Sequence, residues 1–159
     1  FTRIVARNAS PQPLLAGPVT LRKQGAYLGV GDVDFTGRGD PLEISLGSDD
    51  SCCVRLERRR LVDSMPDGSE REHFVTVVEL SHCDEGLVPV EVVLRLPVSG
   101  VDQLLVVPSE HYCSEGPPEP DERGFVRLPI ALEPGAPRRV SIGFWFEKTG
   151  AVKAPTPWR

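Results

Sequence analysis

The chain has 159 residues, 40% of them hydrophobic and 26% charged, and a formal net charge of -5. That length and balance describe one globular domain able to bury most of its apolar surface, and they exclude a disordered tail. The negative charge argues against nucleic acid as a partner, because phosphate neutralisation needs lysine and arginine clustered on one face, and no apolar run is long enough to span a bilayer.

The composition carries further signals. Fifteen arginines stand against three lysines, Asn8 is the single asparagine, and 16 prolines accompany 15 glycines. Arginine and proline enrichment with lysine and asparagine depletion is what a GC-rich genome produces. Proline at this density also suits an all-β chain, where it marks edges and turns. The chain begins at Phe1 inside a strand pattern and Met65 is its only methionine, which reads as a fragment of a longer protein or a processed product, with any targeting segment upstream. Cys52, Cys53, Cys83 and Cys113 do not have the layout of a disulfide scaffold, since adjacent Cys52 and Cys53 point to opposite faces of a strand. Reduced, buried or half-buried thiols are expected, ahead of a Cys83–Cys113 bridge. A cytoplasmic setting is favoured for this fragment, and a cell-envelope one would need an upstream signal.

Residues 2–7 alternate as a first strand, and the segment 8–13 breaks it. Asn8-Ala9-Ser10 matches a glycosylation acceptor formally, but a proline follows directly and the motif is common by chance. A strand follows Gly17-Pro18, and the turn Gln24-Gly25 leads into another over residues 26–35. There Gly29-Val30-Gly31 lacks the helix that a phosphate loop requires, so these glycines let a strand bend or another backbone approach. Residues 36–41 are a turn containing Arg38-Gly39-Asp40, a tripeptide with adhesion uses but also the composition of any tight turn.

Residues 42–46 form a short strand, and residues 52–62 a longer one carrying Arg55, Glu57, Arg58, Arg59 and Arg60. The arginine run offers planar forks for phosphate or carboxylate, or serves as a solvated face or an edge blunted against aggregation. After a polar turn at 64–71 comes the stretch that organises the chain. In residues 73–97, Phe74, Thr76, Val78 and Leu80 share one parity, and so do Val90, Val92, Leu94 and Leu96. This reads as two long strands joined by a turn at 83–86, a hairpin whose apolar face a second sheet must cover.

Residues 103–107 form a continuous apolar strand ended by Pro108. The acidic stretch 109–123 is the longest irregular segment and reads as a mobile or partner-contacting loop, with Tyr112, Glu115, Glu119 and Asp121 on it. Residues 124–132 alternate again. Val140, Ile142, Phe144 and Phe146 then line the inner face of a last strand, with Trp145 on the outward parity, and residues 151–159 are a proline-rich tail. The pattern predicts an all-β antiparallel sandwich of about ten strands over residues 1–150, immunoglobulin-like in general architecture.

Catalytic equipment is sparse. No Gly-x-Ser-x-Gly elbow is present, and nothing in the spacing joins His73, His82 or His111 to a nucleophile. His82-Cys83 with His111 and Cys113 has the donor types for zinc but the spacing of no known knuckle, so no metal or other cofactor is expected. Asp49-Asp50 and Asp84-Glu85 fall in turns. Tyr27, Tyr112, Trp145 and Trp158 are candidate rings for stacking on a sugar.

The order of motifs Asn8, Leu14-Leu15-Ala16-Gly17-Pro18-Val19, Gly25, Gly29, Gly39, Leu46-Gly47, Leu96-Pro97-Val98-Ser99 and Leu132-Glu133-Pro134-Gly135, before an aromatic strand ending in Phe146-Glu147, resembles the DUF4139 domain. That domain is the C-terminal domain of mucoidy-inhibitor-like bacterial proteins. Ser81-His82 stand where the family usually has an asparagine, and Phe125 where an aromatic near Gly124 is usually tryptophan. The resemblance implies a β-sandwich that follows a partly coiled-coil region, with no established activity and no catalytic residues to carry over.

The expected function is a non-catalytic interaction or structural module contacting a protein partner or its own upstream region. The surfaces expected to carry it are Arg55, Arg58, Arg59 and Arg60 on one strand, Tyr112, Glu115, Glu119 and Asp121 on the acidic loop, and Trp145. The alternative is a carbohydrate- or cell-envelope-binding module, and a hydrolase-type enzyme stands third.

Overall fold

The computed structural model describes residues 2–23, 25–83, 85–148 and residue 157. Among the described residues there are ten strands and one three-residue 3-10 turn, and every strand pairing is antiparallel. The all-β antiparallel architecture read from the alternation is therefore the fold. The chain divides into two compact units, residues 1–50 and 51–159. The proline-rich tail and Trp158 lie outside the described residues, apart from Pro157.

The first unit holds β1 (Thr2–Arg7), β2 (Gly17–Lys23), β3 (Ala26–Val33) and β4 (Pro41–Gly47). β1 pairs with β4 and β2 with β3, and a bridge joins Leu14 to Thr36. Only Asn8, Val33 and Thr36 are fully buried among its described residues, so apolar burial is a minor part of what holds it. Asn8 takes over that role. Its Nδ2 donates to the carbonyls of Gln12 at 2.9 Å and of Thr36 and Gly37 at 3.2 Å, and its Oδ1 accepts from the Ser10 amide and hydroxyl. An amide spent in this way and 4% exposed is a structural hub; it is not presented as a glycosylation acceptor would be.

The Arg38-Gly39-Asp40 turn closes on the same hub. Gly39, at φ +83°, donates its amide to the Asn8 carbonyl, and the Asp40 carbonyl accepts the Asn8 amide. A residue with a Cβ is strained at that φ.

The second unit holds β5 (Cys52–Ser64), β6 (Glu70–His82), β7 (Val88–Arg95), β8 (Leu104–Pro108), the 3-10 turn Glu110–Tyr112, β9 (Phe125–Leu132) and β10 (Arg138–Lys148). Four strands form a sheet in the order β5-β6-β10-β8, and β7 pairs with β9 apart from it. The hairpin expected over residues 73–97 does not exist. β6 bonds to β5 and β10 on its two sides, and β7 lies in the other layer. The long hairpin is β5–β6, closed at 65–69, where the Met65 amide donates to the Ser69 carbonyl and the Gly68 amide to the Met65 carbonyl.

The two apolar rows face each other across the core and do not lie side by side, and β6 also buries Val75 and Val77 on its other face. Val78, Leu80 and Val140 from the four-stranded sheet pack with Val92 and Leu132 from the other layer. Phe74, Ile142 and Phe144 pack with Leu96, Val126 and Cys113. Period-2 alternation shows which face of a strand is dry, not which neighbour lies across it. All four cysteines are free thiols.

Candidate interaction surface

The outer face of the four-stranded sheet brings several polar groups together with a tryptophan. Register builds it: Asp63 of β5 lies opposite Arg71 of β6, and Trp145 of β10 lies opposite His73. Trp145 keeps the outward parity expected from the sequence. The Arg71 guanidinium sits 3.8 Å from the centre of its ring, a geometry in which the ring quadrupole attracts the cation. Two open grooves flank this stack. One, of about 480 Å³, includes Arg60, Glu72, Phe74 and Phe146. The other, of about 610 Å³, includes Asp63, His73, Ser109 and His111. Val62, Arg71 and Trp145 line both.

Tyr112 reaches this face because the chain folds back onto β10 after Pro108. The Ser109 amide donates to the Gly143 carbonyl and the Ser114 amide to the Ser141 carbonyl, while the Ser141 amide donates to the Ser114 hydroxyl. Gly143 makes the approach possible, since a Cβ there would stand 2.5 Å from the Tyr112 Cβ. The first part of the 109–123 stretch is thus tied down: Ser109 is 3% exposed and Cys113 lies in the core.

The Tyr112 hydroxyl donates to Asp63 Oδ1 at 2.9 Å, and Asp63 Oδ2 stands 3.3 Å from His73 Nε2. The Tyr112 ring tilts over the His73 ring with centres 5.1 Å apart. Hydrogen bonding to the Asp63 carboxylate raises the Tyr112 pKa. Burial lowers the His73 pKa; Asp63 opposes that shift, while Arg71 and His111 add to it. His73 Nδ1 is buried without a hydrogen-bond partner.

The lowered His73 pKa fixes a pH dependence. Below about pH 6.5 the unfolded chain takes up a proton that the folded chain resists, so stability falls as pH falls, and above about pH 7.5 His73 contributes no slope. His73→Phe is expected to flatten the fall in urea midpoint between about pH 7 and 5.5; an unchanged slope in the variant would refute this.

The remaining sequence candidates do not converge on this surface. Arg55, Arg58 and Arg59 lie along β5 opposite Glu79, Thr76 and Val75. Arg59 forks onto Glu57 at 2.7 and 2.8 Å. Arg60 pairs with Glu72 and joins Trp145 in the smaller groove. Glu115 pairs with Arg138 at 2.8 Å, Glu119 is exposed, and Asp121 serves a turn, its Oδ1 accepting from the amides of Arg123 and Phe125. Tyr27, in the first unit, is exposed.

The His82, Cys83, His111 and Cys113 set is dispersed. His82 is 2% exposed with Nε2 3.0 Å from the Leu132 carbonyl. Cys113 is within 3.5 Å of the Gly143 backbone, where burial raises its pKa, and Cys83 is exposed. Sequence reasoning missed Asp63, Arg71 and His73 as a group. Arg71 and His73 share a parity, but nothing in the sequence places β10 beside β6. Compared with family models, curated proteins and solved structures, the chain matches none.

Proposed function

We propose that this is a non-catalytic β-sandwich module that binds a protein partner, or the upstream region of its own chain, through the part of the four-stranded sheet marked by Trp145. The observation that carries this reading is the Trp145–Arg71 stack lining two open grooves. Tryptophan and arginine dominate binding hot spots because they combine large apolar area with a polar handle, and grooves beside them give a partner somewhere to seat its own anchors.

Two further observations favour it over the alternatives. A general base must reach its substrate, yet Asp63 holds His73 Nε2 and Nδ1 is buried. A sugar stacking on Trp145 would need a ring face, and the Arg71 guanidinium already covers one. The motif resemblance to the DUF4139 domain points the same way.

The test compares the wild-type chain with Trp145→Ala and Arg71→Ala. Each truncation is expected to weaken capture of a wild-type partner by about thirtyfold, the effect of losing a hot-spot side chain. Capture unchanged by both variants, or sugar titrations that quench the tryptophan fluorescence, would overturn the reading.

A further inference from the structure

We infer that the outer edge of β5 binds an extended, acidic segment of a protein partner by strand addition. This names a binding mode and a partner chemistry, and it rests on the interaction-module reading above. β5 ends the four-stranded sheet. Its 13 residues pair with β6 without a break in register, and no strand pairs with its other side among the described residues. Such an edge leaves a row of amides and carbonyls facing outward.

The opposite edge is protected and this one is not. β8 has five residues and ends at Pro108, after which Ser109 and Ser114 stay bonded along β10 to Gly143 and Ser141. β5 has no proline, glycine, lysine or bulge, so the usual devices that blunt an edge are missing apart from charge. Its face is open as well. No β5 residue belongs to either core cluster, and Val54 and Leu56 are 64% and 50% exposed. An added strand would gain backbone hydrogen bonds and cover those two side chains.

Charge selects the occupant. Between residues 53 and 62 the strand carries Arg55, Arg58, Arg59 and Arg60 against Glu57 alone, in a chain of net charge -5. The arginines alternate, Arg58 and Arg60 on the parity of Val54 and Leu56 and the other two on the opposite face. With Arg60 held by Glu72, Arg55 and Arg59 on one face and Arg58 on the other are the guanidinium groups that carboxylates of an added strand would meet. The pair that Arg59 makes with Glu57 is about half exposed on both sides, so exchanging it for an incoming carboxylate costs little. A second copy of β5 fits poorly, because it brings the same excess of arginine to the same edge.

The test titrates the full chain with a blocked peptide of about eight residues alternating glutamate and valine, roughly the length of a common strand. The amides of residues 53–61 are expected to shift and to exchange more slowly, and raising salt from about 50 to 300 mM is expected to weaken binding at least tenfold. The triple variant Arg55→Gln/Arg58→Gln/Arg59→Gln is expected to lose at least tenfold in affinity with its urea midpoint unchanged. A peptide with proline at alternate positions, which lacks the amides for the ladder, is expected not to bind.

Absence of binding at millimolar peptide, equal binding of a lysine-for-glutamate peptide, or affinity unchanged in the triple variant would overturn the assignment. Self-association through β5 that the peptide fails to displace would overturn it in favour of a second copy. Peptide shifts confined to the Trp145 grooves would overturn the edge while leaving the interaction reading intact; loss of that reading shows instead as capture indifferent to Trp145 and Arg71.

Discussion

Phe144→Ala is expected to destabilise the second unit by about 4 kcal/mol, read as a shift in the urea midpoint followed by tryptophan fluorescence. Phe144 is 3% exposed. It lies opposite Phe74 in register, with ring centres 5.5 Å apart, and meets Phe146 edge-on at 5.5 Å. Phe74 and Phe146 also pack at 5.6 Å, so the three rings form a closed triangle over Leu96 and Val126 of the other layer. Truncation removes the burial of a whole ring and leaves a hole that β-sheet backbones on both sides are too rigid to fill. Phe144→Leu retains most of the volume and is expected to cost about 1–2 kcal/mol. Equal losses in the two variants would show that the rings do not interlock as described.

Asn8→Ala is expected to raise hydrogen exchange over residues 2–47 by more than a hundredfold, equivalent to about 3 kcal/mol of local stability. The substitution strips the carbonyls of Gln12, Thr36 and Gly37 of their side-chain donor and frees the Ser10 amide and hydroxyl. With Val33 the one fully buried apolar side chain among this unit's described residues, no apolar packing offsets the loss. Asn8→Asp keeps the acceptor for Ser10 but turns a buried carboxylate oxygen toward those three carbonyls, so it is expected to be at least as damaging as alanine. Exchange unchanged in Asn8→Ala would mean that strand pairing alone holds the unit.

These two side chains show how differently the sequence speaks. Phe144 stands in a row with Val140, Ile142 and Phe146, and parity alone assigns it to the interior. Asn8 reads as a turn residue in a breaking segment, because its three carbonyl partners come from positions up to 29 residues away. Strands were legible for the same reason as Phe144: alternation is local. Partners were not. β6 and β7 carry apolar rows that fit equally well as neighbours in one sheet or as opposing layers, and the choice depends on β5 and β10 claiming both sides of β6.

The candidate surface was legible only in part. Trp145 and Tyr112 were visible as aromatics on an outward parity and in a loop. Their convergence with Asp63, Arg71 and His73 depends on a glycine at position 143 that lets the loop descend onto β10, and a lone glycine inside a strand announces a close approach without naming what approaches. The sequence offers the arginines of β5 as one face, and the structure spreads them over both faces of an edge strand.

Site-specific photo-crosslinking tests the central claim, that the Trp145 surface is where this module meets another protein. A benzophenone amino acid would replace Val62, an exposed residue lining both grooves, in one variant and Ala131, an exposed position on β9, in another, each in the full chain within an extract of the source cells. The account predicts a discrete protein adduct from position 62 and none from position 131. No adduct from position 62, or the same adducts from both, would contradict it.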